Sequence, residues 1–178
     1  MMSEAGYEGS VLLRRGTVRR MRERDLKYVM KIEEQAYATP WSRQSFKTEL
    51  RENEYARYYV LGYEKEIIGY MGLWFILDEG HITNVAVAEA HRGRGWGKYL
   101  MLTVMEELCA QGMDRMTLEV RVSNQAALRI YEQLGFLEAG LRKAYYSDTQ
   151  ENALIMWAEL DDQSVACKKD ALLLGHLR

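Results

Sequence analysis

The chain has 178 residues, and its 24 basic against 26 acidic side chains leave a formal charge of −2, which argues against a general nucleic-acid binder, since those are usually basic. Hydrophobic residues make up 48% and charged ones 28%, the balance of one globular domain with a sizeable core. The longest apolar run, Tyr70 to Leu77, is far short of the roughly 20 residues that span a bilayer.

The start, MMSEAGYEGS, carries an acid where a secretory signal wants basic residues, and no apolar stretch follows. Residues 1–16 read as an extension with one short apolar patch, VLL. Asp25 can cap a helix whose positions Leu26, Val29, Met30, Ile32 and Ala36 keep the helical spacing. Thr39-Pro40-Trp41 breaks it, and Ser42 can cap a second short helix, RQSFKTEL. Three strands follow, ARYYVLGY, IIGYMGLWFIL and HITNVAVA, rich in β-branched and aromatic residues. From Gly95 to Gln111 the pattern is helical again, with Trp96, Tyr99, Leu100, Thr103, Val104 and Leu108 on one stripe and Gly112 as a stop. MTLEVRV reads as a strand, and Asn124 can cap the helix QAALRIYEQL, which Gly135 ends. FLEAGLRKAYY and NALIMWAEL are two further strands. Residues 161–178 form a second extension ending KKDALLLGHLR, a segment able to lie on the domain as a short helix. The order β–αα–βββ–α–β–α–ββ predicts an α/β fold, a mixed central sheet with helices on its faces, over residues 17–160.

The segment HRGRGWGKYL stands between a strand and a long helix. That placement makes an anion cradle: free backbone N–H groups and the helix dipole face the ligand, glycines let the backbone come close, and Arg92, Arg94 and Lys98 add charge. It is not a P-loop, because the residue five before Gly97 is Arg92 and Tyr99 follows Lys98. Nor does a dinucleotide G-x-G-x-x-G starting at Gly93 or Gly95 find its last glycine. On these residues alone a glycine-rich surface turn with solvated arginines is an equal reading.

Other groups offer little. His81, His91 and His176 share no metal-ligand spacing with the cysteines. Cys109 and Cys167 are far apart and suggest no disulfide framework, and Cys109 reads as a buried thiol. Glu33-Glu34 and Asp161-Asp162 read as solvated charge.

R-G-R-G-W-G fits the [Q/R]-x-x-G-x-[G/A] signature of the GNAT acetyltransferases, and the preceding N-V-A-V resembles the strand that family pairs with the pantetheine arm. I-E-E-Q-A-Y-A-T-P-W, L-E-V-R-x-S-N-x-x-A and R-K-A-Y-Y-S-D…E-N-A-L-I-M extend the resemblance over roughly residues 17–160. It is strongest to the branch that acetylates the N-terminal alanine of a small-subunit ribosomal protein. The resemblance implies the GNAT (acyl-CoA N-acyltransferase) fold, acetyl-CoA as cosubstrate and no metal. It further implies a peptide N-terminus as partner; the charge balance, the short apolar runs, the start of the chain and the two distant cysteines lead to the expectation of no nucleic acid, no membrane and a cytoplasmic protein, a monomer. It places Arg92, Gly93, Arg94, Gly95, Trp96, Gly97 and Lys98 on the cofactor's diphosphate, and Asn124 and Tyr131 against the cofactor too. Backbone amides of Val85, Ala86 and Val87 face the pantetheine arm and polarise the thioester carbonyl.

Amine acetylation needs a neutral amine, a stabilised oxyanion and a protonated leaving thiol. The resemblance gives Glu119 as base and Tyr131 as acid. Alternation puts Glu119 with Thr117 on one strand face, opposite Leu118 and Val120. Without the resemblance, Glu119 is a strand glutamate paired with Arg121, Tyr131 a core tyrosine beside Leu128 and Leu134, and Asn124 a plain helix cap. Pro40, Trp41, Tyr145 and Tyr146 are expected to line the peptide groove, with ordinary packing as the alternative. Two other functions stay open: acetylation of a lysine side chain or small amine, and acyl-CoA binding without turnover.

Overall fold

The aromatic and β-branched segments form one seven-stranded sheet in a computed structural model that describes residues 12–177. Its strands are β1 (Thr17–Arg20), β2 (Ala56–Tyr63), β3 (Glu66–Ile76), β4 (Glu79–Val87), β5 (Arg115–Arg121), β6 (Leu137–Tyr146) and β7 (Glu151–Glu159), in the order β1-β2-β3-β4-β5-β7-β6. The helices are α1 (Leu26–Ala36), α2 (Arg43–Glu52), α3 (Trp96–Ala110), α4 (Gln125–Leu134) and α5 (Asp162–Leu173). The mixed sheet with helices on both faces is the architecture that the order of elements predicts. No helix of the described residues is long and apolar enough to cross a membrane.

Two apolar clusters clamp the sheet. One packs Leu26, Val29, Ile32 and Phe46 of α1 and α2 on Tyr58, Val60, Tyr70 and Ala86. The other packs α3, α4 and α5 on the opposite face, around Leu61, Met71, Leu118 and Met156. The centre of β3 is therefore covered on both sides, which is why Ile68 to Leu73 carries no alternation. The single stripe expected on α3 is too narrow: Met101, Leu102 and Met105 are buried as well, because α5 lies on the side away from the sheet. Asp161, read as solvated charge, caps α5 by accepting the Ser164 amide at 2.9 Å. Asp25 begins α1 but gives it no side-chain cap. Its carboxylate instead accepts from the Arg22 amide at 2.8 Å and two Arg19 nitrogens at 2.7 and 2.9 Å.

One irregularity makes room for a site. Neighbouring strands run antiparallel except β4 and β5, and those pair only where Glu79–His81 meets Arg115–Thr117. Beyond that point β4 continues to Val87 and β5 to Arg121 without pairing. Against β3, Gly72 faces Asn84 and Leu73 faces Ile82, so Thr83 is the extra residue of a bulge that turns β4 away. The two C-terminal strand ends splay apart, and backbone groups that a continuous sheet would use are left facing a wedge.

Candidate active site

The wedge opens into a cleft of about 1780 Å³. At one end lies the loop before α3. Gly93 and Gly95 have φ of +74° and +83°, a left-handed conformation that costs a side-chain-bearing residue about 1–2 kcal/mol. Gly95 is the N-cap of α3 and supplies no side-chain acceptor, so the first-turn amides face the cleft uncapped, where an anion suits them. Lys98 is 8% exposed and has no carboxylate partner among the described residues. Burial lowers its pKa, the signature of a cation short of a counter-ion. Arg94 is exposed and likewise has no carboxylate partner among the described residues. Arg92 acts on the loop itself, because its Nε donates to the Val87 carbonyl at 2.9 Å and ties the loop to β4. The Trp96 ring is 1% exposed, tilted against Tyr63 at 5.1 Å and edge-to-face with Tyr99 at 6.1 Å. Its side chain is core; only its backbone amide belongs to the cradle. Amides, glycines and the ammonium of a lysine whose stem is buried fit a diphosphate.

The wedge's second wall is the unpaired edge of β4. The Ala88 amide donates to Ile68 across β3, so alternation turns the Ala86 amide toward β3 and those of Val85 and Val87 into the wedge. Ala86, expected to supply an amide, supplies none, and its side chain packs under α1. A ligand arm carrying amide groups could pair with Val85 and Val87. The Val85 groups already have a partner: the Tyr37 hydroxyl donates to the Val85 carbonyl at 3.0 Å and accepts from the Val85 amide at 3.2 Å.

Glu119 faces the same cleft from β5. Its Oε1 lies 3.1 Å from an Arg142 nitrogen of β6. The expected partner Arg121 is held elsewhere, by Asp148 at 2.8 Å and Glu151 at 3.2 Å, and stacks 3.8 Å over the Tyr146 ring. Tyr131 comes from α4, which Asn124 caps by accepting the Ala127 amide at 3.2 Å. The Tyr131 ring packs against the cluster that holds Leu128, Leu134 and Phe136, with its centroid 5.9 Å from that of Phe136, and its hydroxyl makes no hydrogen bond among the described residues. Burial pushes its pKa up to about 12, with Tyr146 adding to the shift. Tyr146 is likewise pushed up to about 12, and the Tyr145 phenol is raised by burial and by Glu119. A carboxylate, a desolvated phenol and two lining tyrosines thus meet in one place.

Trp41, Tyr145 and Tyr146 line the cleft, but Pro40 does not. It is exposed, and its neighbours Thr39 and Trp41 form the wall. Glu33 corrects the solvated reading. It is 1% exposed, accepts the Trp41 amide at 2.8 Å and bonds the Tyr70 hydroxyl, so it pins the Thr39-Pro40-Trp41 segment. Sequence reasoning missed both Tyr37 and Glu33 as site residues. Their one signal was the run I-E-E-Q-A-Y-A-T-P-W, where the helical period could have marked Glu33 among buried neighbours.

The family model of the Acetyltransferase (GNAT) family matches residues 26–136. The ribosomal protein bS18 alanine N-acetyltransferase of Escherichia coli (strain K12) is 35% identical over 144 residues, 79% of this chain and 95% of that protein. A Bacillus subtilis (strain 168) protein, to which the same activity is provisionally ascribed, is 38% identical over 148 residues, 83% of this chain and 98% of its own length. The solved structure of the Escherichia coli ribosomal-protein-S18-alanine N-acetyltransferase superposes with a TM-score of 0.76 at 32% identity, covering 82% of this chain and 94% of the other.

Proposed function

The chain belongs to the GNAT acetyltransferase family, and from that premise we propose that it transfers the acetyl group of acetyl-CoA to the N-terminal α-amine of a peptide, the alanine of a small-subunit ribosomal protein. The observation that supports this most is the convergence of Glu119 and Tyr131, from β5 and α4, on the wedge between β4 and β5.

The loop from Gly93 to Lys98 would hold the diphosphate through first-turn amides, with Lys98 and Arg94 as counter-charges. The Val87 amide would pair with the pantetheine arm and the Val85 amide would polarise the thioester carbonyl. Acetyl-CoA supplies an activated acyl group with a thiolate as leaving group. A peptide α-amine has a pKa of about 7.7–8.0, so roughly a tenth of it is neutral at pH 7, and Glu119 has only a weakly held proton to take, directly or through a water. Arg142 keeps that carboxylate aimed into the cleft. Tyr131 delivers its proton at the departing sulfur. Its phenol is desolvated, but the sulfur sits in the same dry surroundings, where burial penalises the thiolate as well.

Thiol release from acetyl-CoA, compared across a peptide with free N-terminal alanine, the same peptide blocked at its N-terminus but carrying lysine, and a polyamine, tests the acceptor. The free alanine peptide is expected to react fastest. A faster lysine peptide or polyamine would place the activity on side chains or small amines, since a lysine pKa near 10.4 asks far more of the base. Glu119→Gln should lower turnover by roughly 10²–10⁴-fold, the span of general acid–base catalysis, most at low pH, with coenzyme A affinity near normal. Unchanged turnover would remove Glu119 from the chemistry, and coenzyme A binding with no thiol release on any amine would leave a binding module.

A further inference from the structure

Tyr37 ends α1 as its C-cap and leads into the segment that walls the acceptor side. Its hydroxyl sits on both wedge-facing groups of Val85, 3.0 Å from the carbonyl oxygen and 3.2 Å from the amide nitrogen. An extended residue points its N–H and C=O the same way, so one hydroxyl can serve both, as a fixed water would. The hydroxyl thereby satisfies the strand edge that β5 has abandoned. It also fills the position that an acyl oxygen would need. Two oxygens cannot lie along one N–H direction at hydrogen-bond distance, so only one is bonded at a time.

We propose that Tyr37 is a positioning residue whose hydroxyl competes with the acyl oxygen of acetyl-CoA for the Val85 amide, so that it sets the enzyme's preference for acetylated over free coenzyme A. The inference rests on the reading that the Val85 amide receives that oxygen. When the acetyl group arrives, the hydroxyl yields the amide. When the acetyl group has passed to the amine, the hydroxyl takes the amide back, which favours departure of the acetylated product. Free coenzyme A has no acyl oxygen and leaves the Tyr37 contact undisturbed. The exchange also touches the acceptor wall, because Tyr37 is four residues from Trp41 and that segment is pinned separately, by Glu33 on the Trp41 amide at 2.8 Å.

Calorimetric binding of coenzyme A, acetyl-CoA and the thioether S-ethyl-CoA to the full chain and to Tyr37→Phe tests this. The substitution keeps the ring and removes only the hydroxyl. Acetyl-CoA should bind the variant roughly fivefold more tightly, the worth of about one net hydrogen bond, with coenzyme A and S-ethyl-CoA unchanged. Their unchanged affinities also show that the variant is folded. Equal tightening of all three would make Tyr37 a steric obstacle only, and no change in any would remove it from the site; either overturns the proposal. The infrared carbonyl stretch of carbon-13-labelled acetyl-CoA bound to the unmodified chain reports the Val85 bond itself. A bound carbonyl with no downshift in either protein overturns the Val85 reading and the proposal with it. A downshift with unchanged affinity ratios overturns the Tyr37 proposal alone.

Discussion

Tyr131 holds its phenolic proton more tightly than a tyrosine in water, because its half-buried setting in the cleft disfavours the phenolate and Tyr146 adds to the effect. The raised pKa, about 12, fixes the sign of its effect on rate: the proton-donating form is present at every lower pH and is lost only as pH climbs through that value. The rate with an alanine peptide should therefore rise with the amine's own deprotonation to about pH 8 and stay level to about pH 10. Initial rates across that range check this, and a fall above pH 9 that Tyr131→Phe abolishes would place its pKa far lower. Tyr131→Phe should lower turnover by at least roughly 10²-fold with little effect on coenzyme A affinity. Alternation along M-T-L-E-V-R puts Glu119 on the correct face, yet its partner is not legible there. Arg121 shares that face, but the turn carrying Asp148 and the start of β7 capture its guanidinium. Arg142 reaches Glu119 instead from β6, through a strand pairing that no local pattern encodes. Glu33 escapes a sequence reading for a related reason. A charged residue beside a second one looks solvated until the burial of its helix face is known.

At the scale of elements, the strand–loop–helix unit is the most legible part of the site, because glycines and a change of hydrophobic period mark it locally. The splay of β4 from β5 is not legible, since it depends on the extra residue at Thr83 and on pairing across some thirty residues of intervening chain. Two glycines of the loop share a left-handed backbone but differ in their surroundings. A Cβ at Gly93 would meet nothing within 4 Å, whereas one at Gly95 would lie 3.3 Å from Leu13 Cδ1 and 3.5 Å from Leu172 Cδ1. Gly93→Ala should cost about 1–2 kcal/mol, the backbone term alone. Gly95→Ala should cost that and a further increment for shifting Leu13, which a Cβ would crowd while touching Leu172 at ordinary distance, and should weaken coenzyme A binding more because Gly95 starts α3. Denaturant midpoints of the two variants compare them directly; equal losses would show that Leu13 gives way freely.

For the whole molecule, Leu13 and α5 lie against the glycine-rich loop before α3 rather than trailing from the domain. Leu13, Val165 and Leu172 are buried in the cluster that also holds Leu100 and Val104 of α3, and Lys169 of α5 pairs with Glu106 of α3. An apolar patch in each end segment is visible in the sequence, but not what it covers, because each covers a surface made by distant parts of the chain. Burial of a side chain of this size is worth about 1.5–3 kcal/mol. Ending the chain at Leu160 removes Val165 and Leu172 and uncovers the outer side of α3, so the loss should be about 3–6 kcal/mol, a large part of the roughly 5–15 kcal/mol that holds a domain together. The loop that α5 supports is the one proposed to bind the diphosphate, so cosubstrate and tail should stabilise the same region. Coenzyme A at a hundred times its Kd returns about 2.7 kcal/mol to any state that binds it. Urea unfolding of the full and shortened chains, with and without coenzyme A, separates the possibilities. A shortened chain that unfolds at the same midpoint would make α5 an appendage. One that unfolds early and is not rescued at saturating coenzyme A has lost the loop's shape along with its support.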